Sequence, residues 1–252
     1  VYRTLRAEEI ARTASRLRAR IEERFSGSGL GGVAGELVVI AEDMGARAAT
    51  FARPIVALRV VCLALVGTLL ALIAYAVTSP EADAEVLSGG HVSDWLGAVD
   101  AGISSVVFLG AAVIFLVTLE GRLKRHKVLS ALHELRAMAH IVDMHQLTKD
   151  PERILWAEGS DTASSPARTM TPFELGRYLD YCSEMLAVLS KLAALYGQNL
   201  DDPVALAGVD QIESLSAGLS RKIWQKLMIL ERIAEQTGAL GAGRSEAPGS
   251  SS

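Results

Sequence analysis

Aromatic side chains make up only 5% of this 252-residue chain, and there are two cysteines. Two thiols cannot build the multi-bridge framework that small secreted domains use in place of a large core. Cys62 falls in an apolar run and Cys182 in a helical pattern far from it, so both are expected to be unpaired packing residues. Catalytic signatures are also missing. No GxxxxGK[ST] phosphate loop, GxSxG elbow, CxxC pair or HExxH zinc pattern occurs. The segment 26–32, SGSGLGG, is glycine-rich, but no lysine follows and no strand precedes it, so it reads as a flexible break. No strand-like alternation and no internal repeat is visible. A net charge of −4 excludes a chain-wide nucleic-acid surface.

Charge is absent where it matters most. Ala101 to Leu119 carries none, and Ile55 to Val77 is apolar or small except at Arg59, Thr68 and Tyr75. Each run is long enough to cross a hydrocarbon core about 30 Å thick, which takes roughly 20 helical residues. Neither holds Asp, Glu, Lys or His at mid-depth, so an ion-coupled transporter is poorly supported. Residues 78–100 between the runs contain five acidic residues and no Lys or Arg. The outer flanks are basic: Arg47, Arg53 and Arg59 before, and Arg122, Lys124, Arg125 and Lys127 after. Positive flanks stay in the cytoplasm. A two-span hairpin with an acidic external loop and both termini cytoplasmic is therefore expected. Arg59, one turn inside the first span, is expected to snorkel to the headgroups. Mean hydropathy is +0.28, yet 21% of residues are charged, which predicts substantial mass outside the lipid. The charge-rich residues 1–54 predict no cleavable signal peptide. Arginine outnumbers lysine about threefold, which points to a GC-rich bacterial genome and hence to a bacterial inner membrane.

The remaining apolar residues follow helical stripes. Ala7, Ile10, Ala14, Leu17 and Ile21 lie on one face of a helix over 1–25, whose other faces carry seven arginines against four glutamates. Such a helix can lie on an anionic membrane, but its narrow, alanine-rich stripe predicts packing on the protein's own bundle. Leu37, Ile40, Met44, Ala48 and Phe51 mark a second helix, over 33–51. From Glu120 to Leu147 there is no proline, and Val128, Leu132, Leu135, Ala139 and Val142 form a stripe. One helix is thus expected from about Trp95 to Thr148, ended by Asp150-Pro151, with a short helical turn over 152–156.

Thr171-Pro172-Phe173-Glu174 is a capping box with proline at the first helical position. Leu175, Leu179, Cys182, Leu186, Leu189, Ala193 and Tyr196 follow in alternating steps of four and three. After Asp201-Asp202-Pro203, a last stripe takes in Leu206, Val209, Ile212, Leu215, Leu219, Ile223, Leu227, Leu230 and Ala234, ending near Gln236. The short connection makes these two helices an antiparallel hairpin.

The expected domains are cytoplasmic amphipathic helices (1–53), a transmembrane hairpin (54–120), a cytoplasmic bundle (121–237) and a disordered tail (238–252). The expected fold class is an all-α membrane protein, a two-span helical hairpin with a cytoplasmic antiparallel helical bundle.

One cluster of chemistry-bearing residues exists. His126, His133 and His140 are spaced by seven, with His145 one turn further. Seven residues rise about 10.5 Å, so no two of the three spaced histidines can share an ion, given Zn–N bonds of about 2 Å. A metal site would need His140 with Asp143, or His133, plus carboxylates from elsewhere, such as Asp180 and Glu184. The alternative, which we favour, places these histidines at the margin of the stripe, bonded to water, Glu134 or Glu184. No cofactor is expected.

The layout, cytoplasmic helices around a two-span hairpin, resembles that of the SLATT-type bacterial membrane effectors, which implies pore formation. The GMN triplet of CorA-type magnesium channels is absent. The expected function is non-enzymatic: an inner-membrane helical protein, partnered by the lipid bilayer, that assembles with itself or a protein partner through its bundle. Two alternatives stand beside it, an oligomeric ion channel or pore-forming effector, and a metal-binding sensor or enzyme at the histidine helix.

Overall fold

A computed structural model describes residues 4–51, 56–78, 92–154, 163–164, 170–198 and 202–245. Among them are six α-helices and no strand: α1 (Ala7–Arg24), α2 (Gly29–Phe51), α3 (Val56–Thr78), α4 (Val92–Leu147), α5 (Pro172–Gly197) and α6 (Pro203–Ser245), with one 3-10 turn at Pro151–Ile154. The chain divides into two compact units. One comprises residues 1–52 and 128–252, the other 53–127.

The first unit is a helical bundle with one continuous core. In α1, Ile10, Ala14, Leu17 and Ile21 are buried in that core, so the basic helix packs on the bundle as its narrow stripe predicted. The chain then turns within four residues. Gly27 takes φ = +68°, a left-handed conformation that an L side chain adopts only at a cost. Ser28 caps α2, its hydroxyl accepting from the Gly31 amide at 3.2 Å. The break is therefore shorter than the expected 26–32, and α2 begins at Gly29 rather than Val33. Leu30 is fully buried, so tertiary packing overrides the poor helix propensity of the neighbouring glycines. Leu37, Ile40 and Met44 are buried as expected; the side chains of Ala48 and Phe51 lie outside the described residues.

The capping box at Thr171 is complete. The Thr171 hydroxyl accepts from the Glu174 amide at 3.2 Å, and Glu174 Oε2 accepts from the Thr171 amide at 2.8 Å. All seven stripe residues of α5 are buried. So are Tyr178, Tyr181, Met185, Val188, Leu192 and Leu195, which makes α5 the central helix. Asp202 caps α6, accepting from the amides of Val204 and Ala205, both at 3.0 Å.

Two members of the α6 stripe are exposed, Leu206 and Ala234, while Ala205 and Ile233 are buried in their place. A straight α-helix drifts about 20° per heptad against a strict seven-residue repeat, which carries the ends of a long stripe off the contact face. The helix also continues to Ser245, past the end expected near Gln236. No proline intervenes, and a glycine lowers helix propensity by only about 1 kcal/mol without removing a hydrogen bond. Residues 246–252 lie outside the described residues, as do residues 79–91 of the expected connection 78–100 and residues 155–156 of the expected turn; residues 92–100 of that connection are already helical in α4.

Helix α4 joins the bundle through Val128, Leu132, Leu135, Ala139 and Val142, all buried. It meets α6 closely: a Cβ at Gly208 would stand 2.9 Å from Leu132 Cδ1. Arg47 on α2 reaches Glu134 on α4 at 3.2 Å.

In the second unit, α3 lies beside the first part of α4. Arg59, in the first turn of α3, is 3.7 Å from Glu120, at the far end of the apolar run of α4, so the two helices are antiparallel there. One helix, over Gly102–Leu147, is long and apolar enough to cross a membrane. The described apolar stretch Val56–Ala71 is shorter.

Packing makes the stability outcomes specific. Leu186→Ala removes a fully buried side chain and should cost about 2–5 kcal/mol. Leu227→Ala, partly buried against the core, should cost less, and Lys191→Gln, exposed on the outer face of α5, within about 0.5 kcal/mol. Chemical denaturation of the purified protein measures all three; equal effects would contradict this packing.

Candidate functional site

The histidine face of α4 is open. His126, His133 and His140 are exposed, and the carboxylates expected beside them are engaged elsewhere. Glu134 pairs with Arg47, Glu184 with Arg20 and Asp180 with Arg177. Asp143 accepts from Gln146 Nε2 at 2.5 Å. Of the partners expected for the histidines, Glu134 and Glu184 pair with arginines of α2 and α1, which leaves water for these exposed rings. No group of three His, Cys, Asp or Glu side chains with metal-binding geometry occurs among the described residues. His145 is half-buried, its Nδ1 3.4 Å from the Tyr178 hydroxyl. Burial pushes that phenol well above its ordinary pKa, so it stays neutral.

A buried polar knot closes the end of α4. Gln146 is 2% exposed, and its carbonyl accepts from Lys226 Nζ at 2.7 Å. Burial lowers the Lys226 pKa, opposed by Asp150 and Asp143. Both cysteines are free. Burial raises the Cys182 thiol to about 12, so it is an un-ionised packing group rather than a nucleophile.

Sequence reasoning did not foresee the cleft between α1 and α5, an open space of about 640 Å³ lined by Arg20, Arg24, Phe173, Arg177 and Tyr181, among others. Arg20 holds Glu184 through two hydrogen bonds, 2.7 and 2.9 Å long, a bidentate geometry. The Arg20 and Arg177 guanidiniums stack on the Tyr181 ring at 5.2 and 5.1 Å, and Arg24 on Phe173 at 5.4 Å. Phe25 meets Tyr178 and Tyr181 edge-on. Burial pushes the Tyr181 phenol up, but Arg24 and Arg177 outweigh it and hold the pKa below its ordinary value. No histidine lines the cleft, and its arginines are engaged with Glu184 and the aromatic rings. It is a lock between two helices. Its signal in the sequence was Arg20 and Arg24 one turn apart on α1, facing the acid–aromatic pattern of α5.

The second unit carries a different surface. No described residue from Val56 to Lys127 is buried. Leu63, Phe108 and Ile114 are 72%, 77% and 66% exposed. Between the two helices runs an apolar groove of about 380 Å³, lined by Leu58, Cys62, Leu63, Leu116 and Val117, with Arg59 and Glu120 at one end. Lys124 Nζ lies 2.9 Å from the same carboxylate. Hydroxyls within the apolar runs bond their own helices: Thr68 to the Ala64 carbonyl at 2.8 Å, Thr118 to that of Phe115 at 2.9 Å.

No protein-family model, curated protein or solved structure matches the chain.

Two outcomes test these assignments. His133→Ala, His140→Ala and Asp143→Asn should leave the metal content of purified protein unchanged and far below one transition-metal ion per chain by elemental analysis; stoichiometric zinc lost on mutating His140 or Asp143 would install a metal site there. A double-mutant cycle of Arg20→Ala and Glu184→Ala should give a coupling of about 0.2–1 kcal/mol, as for a partly exposed pair.

Proposed function

We propose that this chain is a non-enzymatic, membrane-anchored helical protein. Its α3–α4 hairpin spans a bacterial inner membrane twice, and its five-helix bundle assembles in the cytoplasm with a second copy or a protein partner. One observation carries the reading: the described residues of the second unit are largely apolar and none is buried, while the first unit buries its apolar residues in a continuous core. An exposed apolar surface of that extent is unfavourable in water and ordinary in lipid. The antiparallel contact of Arg59 with Glu120 supports the hairpin, and the basic flanks support a cytoplasmic bundle.

Exposed apolar side chains on the bundle support assembly. Met144 and Leu147 of α4 are 67% and 62% exposed, and Trp224 and Met228, one turn apart on α6, are 62% and 42% exposed. Tryptophan and methionine are favoured at the centres of protein interfaces. The pore-forming alternative would use Ser104, Ser105 and Thr118 as pore-facing hydroxyls, and Thr118 bonds the Phe115 carbonyl of its own helix.

Topology is tested with single cysteines, Ser88→Cys and Ser245→Cys, in a background lacking Cys62 and Cys182. An impermeant thiol reagent on intact cells should label position 88 and spare 245 until the cells are opened; the reverse would overturn the orientation. Sodium carbonate should leave the protein in the membrane pellet, and release by carbonate would end the two-span reading. Trp224→Gln together with Met144→Gln should lower the particle mass in mild detergent, measured by light scattering, if the bundle self-assembles through these side chains.

A further inference from the structure

The groove between α3 and α4 lies within one unit and is apolar along its length and charged at one end. Its walls are Leu58, Cys62 and Leu63 on one side and Leu116 and Val117 on the other. Inside a bilayer such a groove does not fill with water, which finds no polar partners on these walls. The material at hand is an acyl chain. The charged end is unequal in sign. Glu120 is already held by Lys124 at 2.9 Å, and Arg59 approaches it only through Nε, at 3.7 Å. The Arg59 side chain is 63% exposed, and its terminal nitrogens make no other ion pair or hydrogen bond among the described residues. A guanidinium offers five donors in a planar fork suited to phosphate oxygens. Arg122, Arg125 and Lys127 follow within two turns, with no acidic residue between Glu120 and Glu134. Arg59, Lys124, Arg122 and Lys127 therefore outnumber the one carboxylate in this part of the hairpin.

We propose that this groove is a binding site for an anionic phospholipid. An acyl chain lies along Leu58, Cys62, Leu63, Leu116 and Val117, and the lipid phosphate is held by Arg59 with Lys124 beside it. The site faces the cytoplasmic leaflet, where anionic headgroups meet basic pockets between helices. This rests on the hairpin reading above and adds a lipid class and a residue that selects it. Arg59 acquires a role beyond reaching the interface: it reads headgroup charge. A second copy of the chain is the competing occupant of such a groove, and the charge balance disfavours it, since two copies would bring like-charged ends together.

The experiment uses the full chain, purified in mild detergent and offered phosphatidylglycerol or phosphatidylcholine with identical acyl chains. Retained lipid is counted by native mass spectrometry, and the unfolding midpoint is recorded for each lipid. The wild-type protein should retain one phosphatidylglycerol per chain and be stabilised by several degrees more than by phosphatidylcholine. Arg59→Gln should abolish that preference while leaving the weaker retention of either lipid. Arg122→Gln, off the groove, should keep most of it. Leu63→Trp, which fills the groove, should reduce retention of both.

Equal retention of the two lipids by the wild type would overturn the proposal. So would equal losses in Arg59→Gln and Arg122→Gln, which would make the preference a property of the basic belt. A drop in particle mass with Leu63→Trp, without bound lipid in the wild type, would assign the groove to a second copy and end the lipid reading. The carbonate test is independent of all these outcomes: a protein that resists carbonate but shows no lipid preference keeps its hairpin and loses only this site.

Discussion

An α-helix that is apolar on two faces must find partners on both, and α5 is such a helix. Thirteen of its 26 residues are buried, in two adjacent stripes rather than one. A single antiparallel partner such as α6 covers one stripe. The other, running through Tyr178, Tyr181, Met185, Val188, Leu192 and Leu195, brings in α1 and α2. This demand decides the fate of α1, a basic amphipathic helix that by composition alone suits a membrane surface equally well. With Ile10, Ala14, Leu17 and Ile21 in the core, its arginines are left at the rim, where Arg20 meets Glu184 and the aromatic rings of α5. The charged lock follows from the apolar packing, since a partly exposed ion pair contributes too little to position a helix by itself.

Much of this was legible because it is local. The capping box at Thr171, the α1 stripe and the unbroken run into α4 are written in short spacings that depend on few distant contacts. The start of α2 was not, because glycines read as a break until Leu30 is known to have a pocket. The second face of α5 was present in the sequence at steps of three and four, hidden by the tyrosines, which fit a surface as well as a core. At the candidate sites, spacing alone showed that the three histidines do not converge. Spacing does not say which carboxylates are free, and that depended on arginines 87 and 164 residues away in the chain, Arg47 for Glu134 and Arg20 for Glu184.

Helix α4 carries both halves of the architecture in one element. From Gly102 through Leu119 its residues are apolar all round, the pattern of a helix that faces lipid or the interior of a protein. From Val128 the apolar residues contract to one stripe, and that stripe is buried. Between the two lie Glu120, Arg122, Lys124, Arg125 and Lys127, a cluster of charge within two turns. No proline marks the change, and the helix runs unbroken through Gly121, the one glycine there. Only the side chains register the boundary, and they do so at the residues that frame the charged end of the groove.

Reactive chemistry is muted by the same packing. Cys182 is buried with its thiol raised, Tyr178 is held neutral, and the carboxylates Glu134, Asp143, Asp180 and Glu184 each have a hydrogen-bonding partner. What stays open is surface: the apolar belt of the second unit, the guanidinium of Arg59 above its groove, and the stripes at Met144 and Leu147 and at Trp224 and Met228. The two kinds of surface left open here differ in extent. No described residue of the second unit is buried, so its apolar side chains form a broad open surface. On the bundle the exposed apolar residues are scattered or paired, as at Met144 and Leu147 and at Trp224 and Met228, while most of its apolar side chains lie in the core.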